Sequence, residues 1–132
     1  MQHSMTLRVY YEDTDMAGVV YYANYLKYLE RGRSEAVRAA GIDQRQMRAA
    51  GLVFVVRRIA AEYLAPARFD DLLTVETRLT GLRGASFAMS QRVLRDGKPL
   101  LAAELTLACM DLDGRPQRIP REIRIALGRV TD

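Results

Sequence analysis

A chain of 132 residues, 49% of them hydrophobic, is enough for one domain around one core, and no apolar run approaches the roughly 18 to 20 residues that cross a membrane. The balance of 20 cations against 16 acids, net +4, fits either a solvated basic surface or a polyanion site. No zinc-finger spacing, arginine–glycine run or recognition-helix signature points to nucleic acid. Lysine occurs only at positions 27 and 98, so the cations are mainly arginines, the better bidentate phosphate ligands. The one histidine, His3, sits in what reads as a loose terminus. That argues against serine–histidine and cysteine–histidine catalysis and against histidine metal sites. A lone cysteine, Cys109, excludes an internal disulfide and fits a reducing compartment. With no signal-peptide regions at the N-terminus, the expected location is the cytoplasm.

In chain order, Thr6 to Tyr11 alternates as a strand, with Leu7, Val9 and Tyr11 on one face. Residues 12–20 form a loop around Gly18. From Tyr22 to Ala40 the apolar positions follow the helical period, and Gly41 ends the helix. On that helix Tyr25, Leu26 and Leu29 read as core, Gly32 and Ala36 form a small-residue notch, and Glu30–Arg33 and Arg31–Glu35 are spaced to pair. Asp43 can cap a short helix over residues 44–50. Four long strands follow, at 52–63, 72–82, 86–95 and 100–111, with hairpin signals at Asp96-Gly97 and Asp113-Gly114. Pro120 opens a short terminal helix. The order predicts an α+β domain spanning residues 1–132: one antiparallel sheet with a single central helix.

The densest chemistry lies in "YYEDTDMAGVVYYANY", residues 10–25. A calcium loop beginning at Asp13 would need an oxygen ligand at its fifth position and a bidentate glutamate at its twelfth, which are Ala17 and Asn24. A phosphotransfer aspartate would want Thr or Val where Ala17 stands. A charged turn that caps the helix is the plain reading, but Asp15 lies seven residues before Tyr22. The tyrosine-rich setting suggests instead that one carboxylate is partly desolvated, which makes it a candidate base or nucleophile.

The segment "RVYYEDTDMAGVVYYANYLKYLERGRSEAVRAAG" resembles the signature of the bacterial hotdog-fold acyl-CoA thioesterases. More narrowly it is similar to the Tol–Pal-associated thioesterases, with the 4-hydroxybenzoyl-CoA thioesterases as cousins. "FVVRRIAAEYLAPARFDDLLTVET" and "LRGASF" resemble the family's later strands and the turn between them. The resemblance implies a five- or six-stranded antiparallel sheet wrapped around the helix. It also implies dimers with active sites at the subunit interface, usually paired into tetramers; no cofactor or metal is expected. By motif match Asp15 falls on the catalytic carboxylate and Asp13 on a neighbouring, non-catalytic position. Tyr22 departs from the narrower subfamily, where a histidine often follows "VVY"; the benzoyl-CoA cousins carry tyrosine there.

Chemistry assigns the remaining expectations. The loop through Gly18 and Val19 leads to a helix N-terminus, where the Tyr22 N–H or a neighbour can hydrogen-bond a developing oxyanion while Asp15 attacks or activates water. Tyr25 can line the acyl pocket. Arg83, Arg57, Arg58 and Arg118 are candidates for the coenzyme A phosphates, supplied across subunits, with a hydroxyl from Ser86. Glu30 is expected to be structural and Cys109 core. The other reading is a binding module that holds acyl-CoA or acyl carrier protein without turnover.

Overall fold

The computed structural model describes residues 2–131. Strand β1 (His3–Arg8) leads through a short 3₁₀ turn and a loop to helix α1 (Asn24–Ala39) and then α2 (Gln44–Ala49). Strands β2 (Val53–Tyr63), β3 (Leu72–Leu82), β4 (Ser86–Arg95) and β5 (Lys98–Met110) follow, and α3 (Arg121–Leu127) comes near the end. The sheet is antiparallel throughout, in the order β1-β3-β4-β5-β2. It packs its inner face on α1, mainly through β1, β3 and β4. No helix among the described residues is long and apolar enough to cross a membrane.

The period-2 pattern decides which side of each strand meets the helix. On β3, Leu73, Val75, Thr77 and Leu79 are buried, while Leu72, Arg78 and Thr80 face out. The β4–β5 hairpin closes on Asp96 and Gly97, both at positive φ (53° and 78°), as a tight two-residue turn requires.

The first strand lies earlier than its sequence suggests. It begins at His3, which pairs with Thr77, so this residue is part of the sheet and not a loose end. The inward alternation runs through Met5, Leu7 and Val9, then breaks, and Tyr11 is 82% exposed. The chain leaves the sheet there because Tyr11–Asp13 winds into the 3₁₀ turn, closed by the Tyr10 amide on the Asp13 carboxylate (2.9 Å).

Helix α1 buries Tyr25, Tyr28, Leu29, Gly32, Ala36 and Val37. Tyr22 and Leu26, expected on the same stripe, are exposed; Leu26 lies on the shoulder that this sheet does not reach. The notch at Gly32 holds the sheet itself: a Cβ there would stand 2.5 Å from the Val75 side chain. The roughly 1 kcal/mol helix penalty of glycine is thus the cost of close approach. Beside the notch, the buried Gln91 amide donates to the Leu29 carbonyl (2.9 Å) and to Thr77 Oγ1 (2.8 Å), pinning helix to sheet. Arg33 donates to the same Gln91 (3.2 Å), Glu30 accepts from Ser34 (3.1 Å), and the ion pair of Glu35 is with Arg38. The expected pairings shift because Arg33 turns toward the sheet, where burial lowers its pKa and Glu30 only partly offsets this.

Asp43 caps α2 through its Oδ1, which accepts from the Arg45 and Gln46 amides. Cys109 is fully buried, and burial pushes its thiol pKa up. Strand β2 is unlike the others. It closes one edge of the sheet, and Val56, Ile59 and Tyr63 are 45%, 37% and 46% exposed.

Candidate active site

The loop between β1 and α1 is a small hairpin. Thr14 bridges Val20, the Asp15 amide donates to the Val19 carbonyl (2.9 Å), and the Gly18 amide donates to the Asp15 carbonyl (3.0 Å). Gly18 takes the positive φ, 76°, that this turn needs. At its base the Asp15 Oδ1 accepts the Ala17 amide (2.9 Å), which fixes the carboxylate at the loop surface. Asp15 is exposed in the single chain. The half-buried carboxylate is that of Asp13, not Asp15, because Asp13 turns inward to cap the 3₁₀ turn.

This hairpin leans on the connection between β2 and β3. Val20 N–H donates to the Ala67 carbonyl (2.8 Å), Val19 bridges Arg68, and Ala67 N–H donates to the Tyr25 hydroxyl (2.9 Å). The connection is held in turn by Arg95, which donates to the Pro66 carbonyl (3.1 Å) and to Asp71 Oδ2 (2.6 Å). Burial works against the Asp71 charge, but the Arg68 amide and the Arg95 guanidinium outweigh it and hold the carboxyl below its ordinary pKa.

At the start of α1 the carbonyls are engaged and the amides are left over. Asp13 O accepts from the Tyr21 amide (3.0 Å) and the Asn24 side chain (2.9 Å), and Tyr21 O accepts from the Asn24 amide (2.8 Å). Tyr22 O accepts from the Tyr63 hydroxyl (2.8 Å). The N–H groups of Tyr22 and Ala23 make no hydrogen bond among the described residues. Two successive free amides at a helix start attract negative charge. Beside them Val20, Tyr22, Tyr25, Tyr63, Leu64, Ala65 and Pro66 line a cavity of about 290 Å³. Its tyrosine rings meet edge to face, Tyr22–Tyr63 at 6.4 Å and Tyr25–Tyr63 at 5.3 Å. Burial raises the Tyr25 pKa, against the opposing Ala67 amide. Burial is also the main cause that raises the Tyr28 pKa, and the Tyr28 hydroxyl is buried with no hydrogen-bond partner among the described residues.

Asp15, Gly18, Val19, Tyr22 and Tyr25 therefore belong to one end of the molecule. Arg83 and Ser86 do not. They sit on the β3–β4 turn, at the far end of an 11-residue strand from Asp71, about 33 Å at strand rise. Arg118 lies beside that turn, near Gly84, and Arg124 donates to the Arg83 carbonyl (2.6 Å). Arg83 is exposed, whereas Ser86, opposite Ala108 in the register, is buried at 7% exposure. Arg57 and Arg58 are exposed on β2, with Arg57 at a break in its register. Glu30 lines a different hollow, with Arg33, Ser34 and Phe54.

A family description, the thioesterase-like superfamily, matches residues 9–127 of this sequence. The chain belongs to that superfamily. Two relatives resemble this superfamily member over most of their length. The acyl-CoA thioester hydrolase YbgC of Escherichia coli O6:H1 is 43% identical over 119 residues, 89% of each chain. The acyl-CoA thioesterase YbgC of Haemophilus influenzae is 41% identical over 125 residues, 93% of this chain and 92% of that one. Among solved structures, a probable thioesterase from Bartonella henselae superposes with a TM-score of 0.87 at 41% identity, covering 91% of this chain and all of that one. A protein from Aquifex aeolicus superposes at 0.90 with 29% identity, covering 95% and 98%. The fold is the hotdog fold, with five strands among the described residues.

Sequence reasoning missed Tyr63 and the Asp71–Arg95 clamp. Tyr63 ends a strand just before "LAP", so the one available signal was an aromatic at a strand end beside a proline turn. Nothing in the spacing connects it to Tyr22, 41 residues away.

Proposed function

We propose that this chain hydrolyses acyl-CoA thioesters to the free acid and coenzyme A, acting in the cytoplasm as one domain per subunit. The observation that carries the reading is the pair of free amides, Tyr22 and Ala23, beside a tyrosine-walled cavity in a superfamily whose named relatives are acyl-CoA thioester hydrolases. The thioester carbonyl lies against these amides, which stabilise the oxygen as it becomes negative; removing one such donor typically costs about 100- to 1,000-fold. Asp15 attacks the carbonyl carbon or takes a proton from attacking water. Gly18 and Val19 hold the Asp15 turn, and Tyr22 and Tyr25 border the acyl group. No cofactor or metal has a role in this reaction. The opening segment supports kinship with the Tol–Pal-associated thioesterases.

The site is shared between subunits of a homodimer, itself able to pair into a tetramer. Strand β2 leaves an 11-residue edge with exposed Val56 and Ile59, which a second copy covers by antiparallel pairing. Such pairing sets the Tyr63 end of one β2 beside the Val53 end of the other. Val53 pairs with Met110, and Ala108 pairs with Ser86, so the Val53 end is the Arg83 end. The partner's Arg83 then reaches the coenzyme A phosphates, with Arg57, Arg58 and Arg118 as further cations. Acyl carrier protein is the alternative carrier of the thioester.

The test is release of free thiol over a panel of acyl-CoA and acyl carrier protein thioesters. Turnover that Asp15→Asn abolishes supports hydrolysis. Tight binding without thiol release supports a non-catalytic acyl-binding module.

A further inference from the structure

We propose that Tyr63 is a positioning residue for thioester hydrolysis: its hydroxyl holds the Tyr22–Ala23 peptide so that the Ala23 N–H faces the substrate oxygen. This rests on the hydrolase reading above. A trans peptide is planar, and its C=O and N–H point in opposite directions. Whatever holds the oxygen therefore aims the N–H. The Tyr22 carbonyl would ordinarily accept the amide four residues on, that of Leu26. Here the Leu26 amide donates to Ala23 O instead (3.1 Å), and the Tyr63 hydroxyl takes the Tyr22 oxygen at 2.8 Å. A carbonyl cannot donate, so the phenol must.

The hydroxyl is well placed for this work because its backbone is fixed. Tyr63 is the last residue of β2, paired with Leu101, and its ring is wedged between those of Tyr22 and Tyr25. A peptide whose oxygen accepts a hydrogen bond is also a stronger N–H donor, since hydrogen bonds in a chain polarise one another. Burial, then the neighbouring tyrosines, raises the Tyr63 pKa, which keeps the phenol protonated at neutral pH. The adjacent peptide is built alike: Tyr21 O is held by the Asn24 amide and the Tyr22 N–H is free. The two donors thus have separate anchors, one internal to the turn and one reaching in from the sheet.

Tyr63→Phe removes the oxygen and keeps the ring. In thiol-release assays it should lower kcat about 10-fold, less than loss of a direct oxyanion donor, with KM within about two-fold of wild type. Thermal midpoints should agree, and the Ala23 amide resonance should move in ¹H–¹⁵N spectra. Wild-type kcat in the variant overturns the proposal. So does a matched rise in KM with a lowered thermal midpoint, which marks a merely structural side chain. Asp15→Asn run in parallel separates the two readings. If wild type releases no thiol, the hydrolase reading fails and takes this one with it. If Asp15→Asn is inactive while Tyr63→Phe matches wild type, only the role of Tyr63 fails.

Discussion

Where β2 ends and β3 begins, carbonyl oxygens are taken up and two amides are left over beside a carboxylate and a ring of tyrosines. At the opposite end of the same sheet, Arg83, Arg118 and Arg124 gather around one turn. The first end is suited to a reacting carbonyl, the second to a polyanion. About 33 Å of strand separates them within a chain, a span that the proposed pairing of two chains would bridge. In the proposed dimer, antiparallel pairing across the open β2 edge would set unlike ends side by side. The comparison teaches that a chain folding as one domain can hold two candidate binding ends apart, and the proposed dimer is what would join them.

The comparison can be broken first at the carboxylate end. Asp15→Asn should lower kcat at least about 100-fold, the scale of a missing general base, with assembly and thermal midpoint unchanged. Asp13→Asn should cost far less activity, because Asp13 caps a turn. Near-normal turnover in Asp15→Asn would remove the carboxylate from the chemistry.

The arginine end should behave differently. Arg83→Ala should raise KM for acyl-CoA much more than it lowers kcat, since a remote phosphate contact is alike in ground and transition states. The loss should be about 1 to 3 kcal/mol and should fade with added salt. A truncated thioester lacking the nucleotide should be hydrolysed equally by wild type and variant. An equal penalty on both substrates would place Arg83 in the fold and send the search to Arg57, Arg58 and Arg118.

The smallest effect is expected at the clamp behind the cavity. The folded-state pKa of Asp71 is depressed, so its charge stabilises the fold above the unfolded carboxyl value near 4 and that contribution is lost as pH falls through the folded value. Denaturant midpoints of wild type and Asp71→Asn should therefore differ by a constant amount from about pH 8 to 5 and converge below about pH 4. A pH-independent difference would mean that packing, not charge, holds the connection.

Much of the fold was legible because period and punctuation are local. The limits of β3 and β4, the Asp96-Gly97 turn, the Asp43 cap and the Gly32 notch all follow from neighbours in sequence. The first strand was misplaced because Tyr10 and Tyr11 favour β structure in themselves, while the competing 3₁₀ turn depends on Asp13. Leu26 read as core because a helical stripe does not reveal how far a sheet extends over it. The motif singled out Asp15, Gly18 and Tyr25, which the structure places at one end of the molecule. The Tyr63–Tyr22 bond was not, since it joins a strand end to a helix start across 41 residues.

Subunit mixing tests the shared site most directly. Asp15→Asn and Arg83→Ala chains, each impaired alone at low acyl-CoA, are unfolded together and refolded at equal ratio. A mixed dimer restores one complete site, with Asp15 from one chain and Arg83 from the other. Random pairing predicts recovery of about one quarter of the wild-type kcat/KM. Activity no greater than the average of the two variants refolded separately would contradict a site built from both subunits.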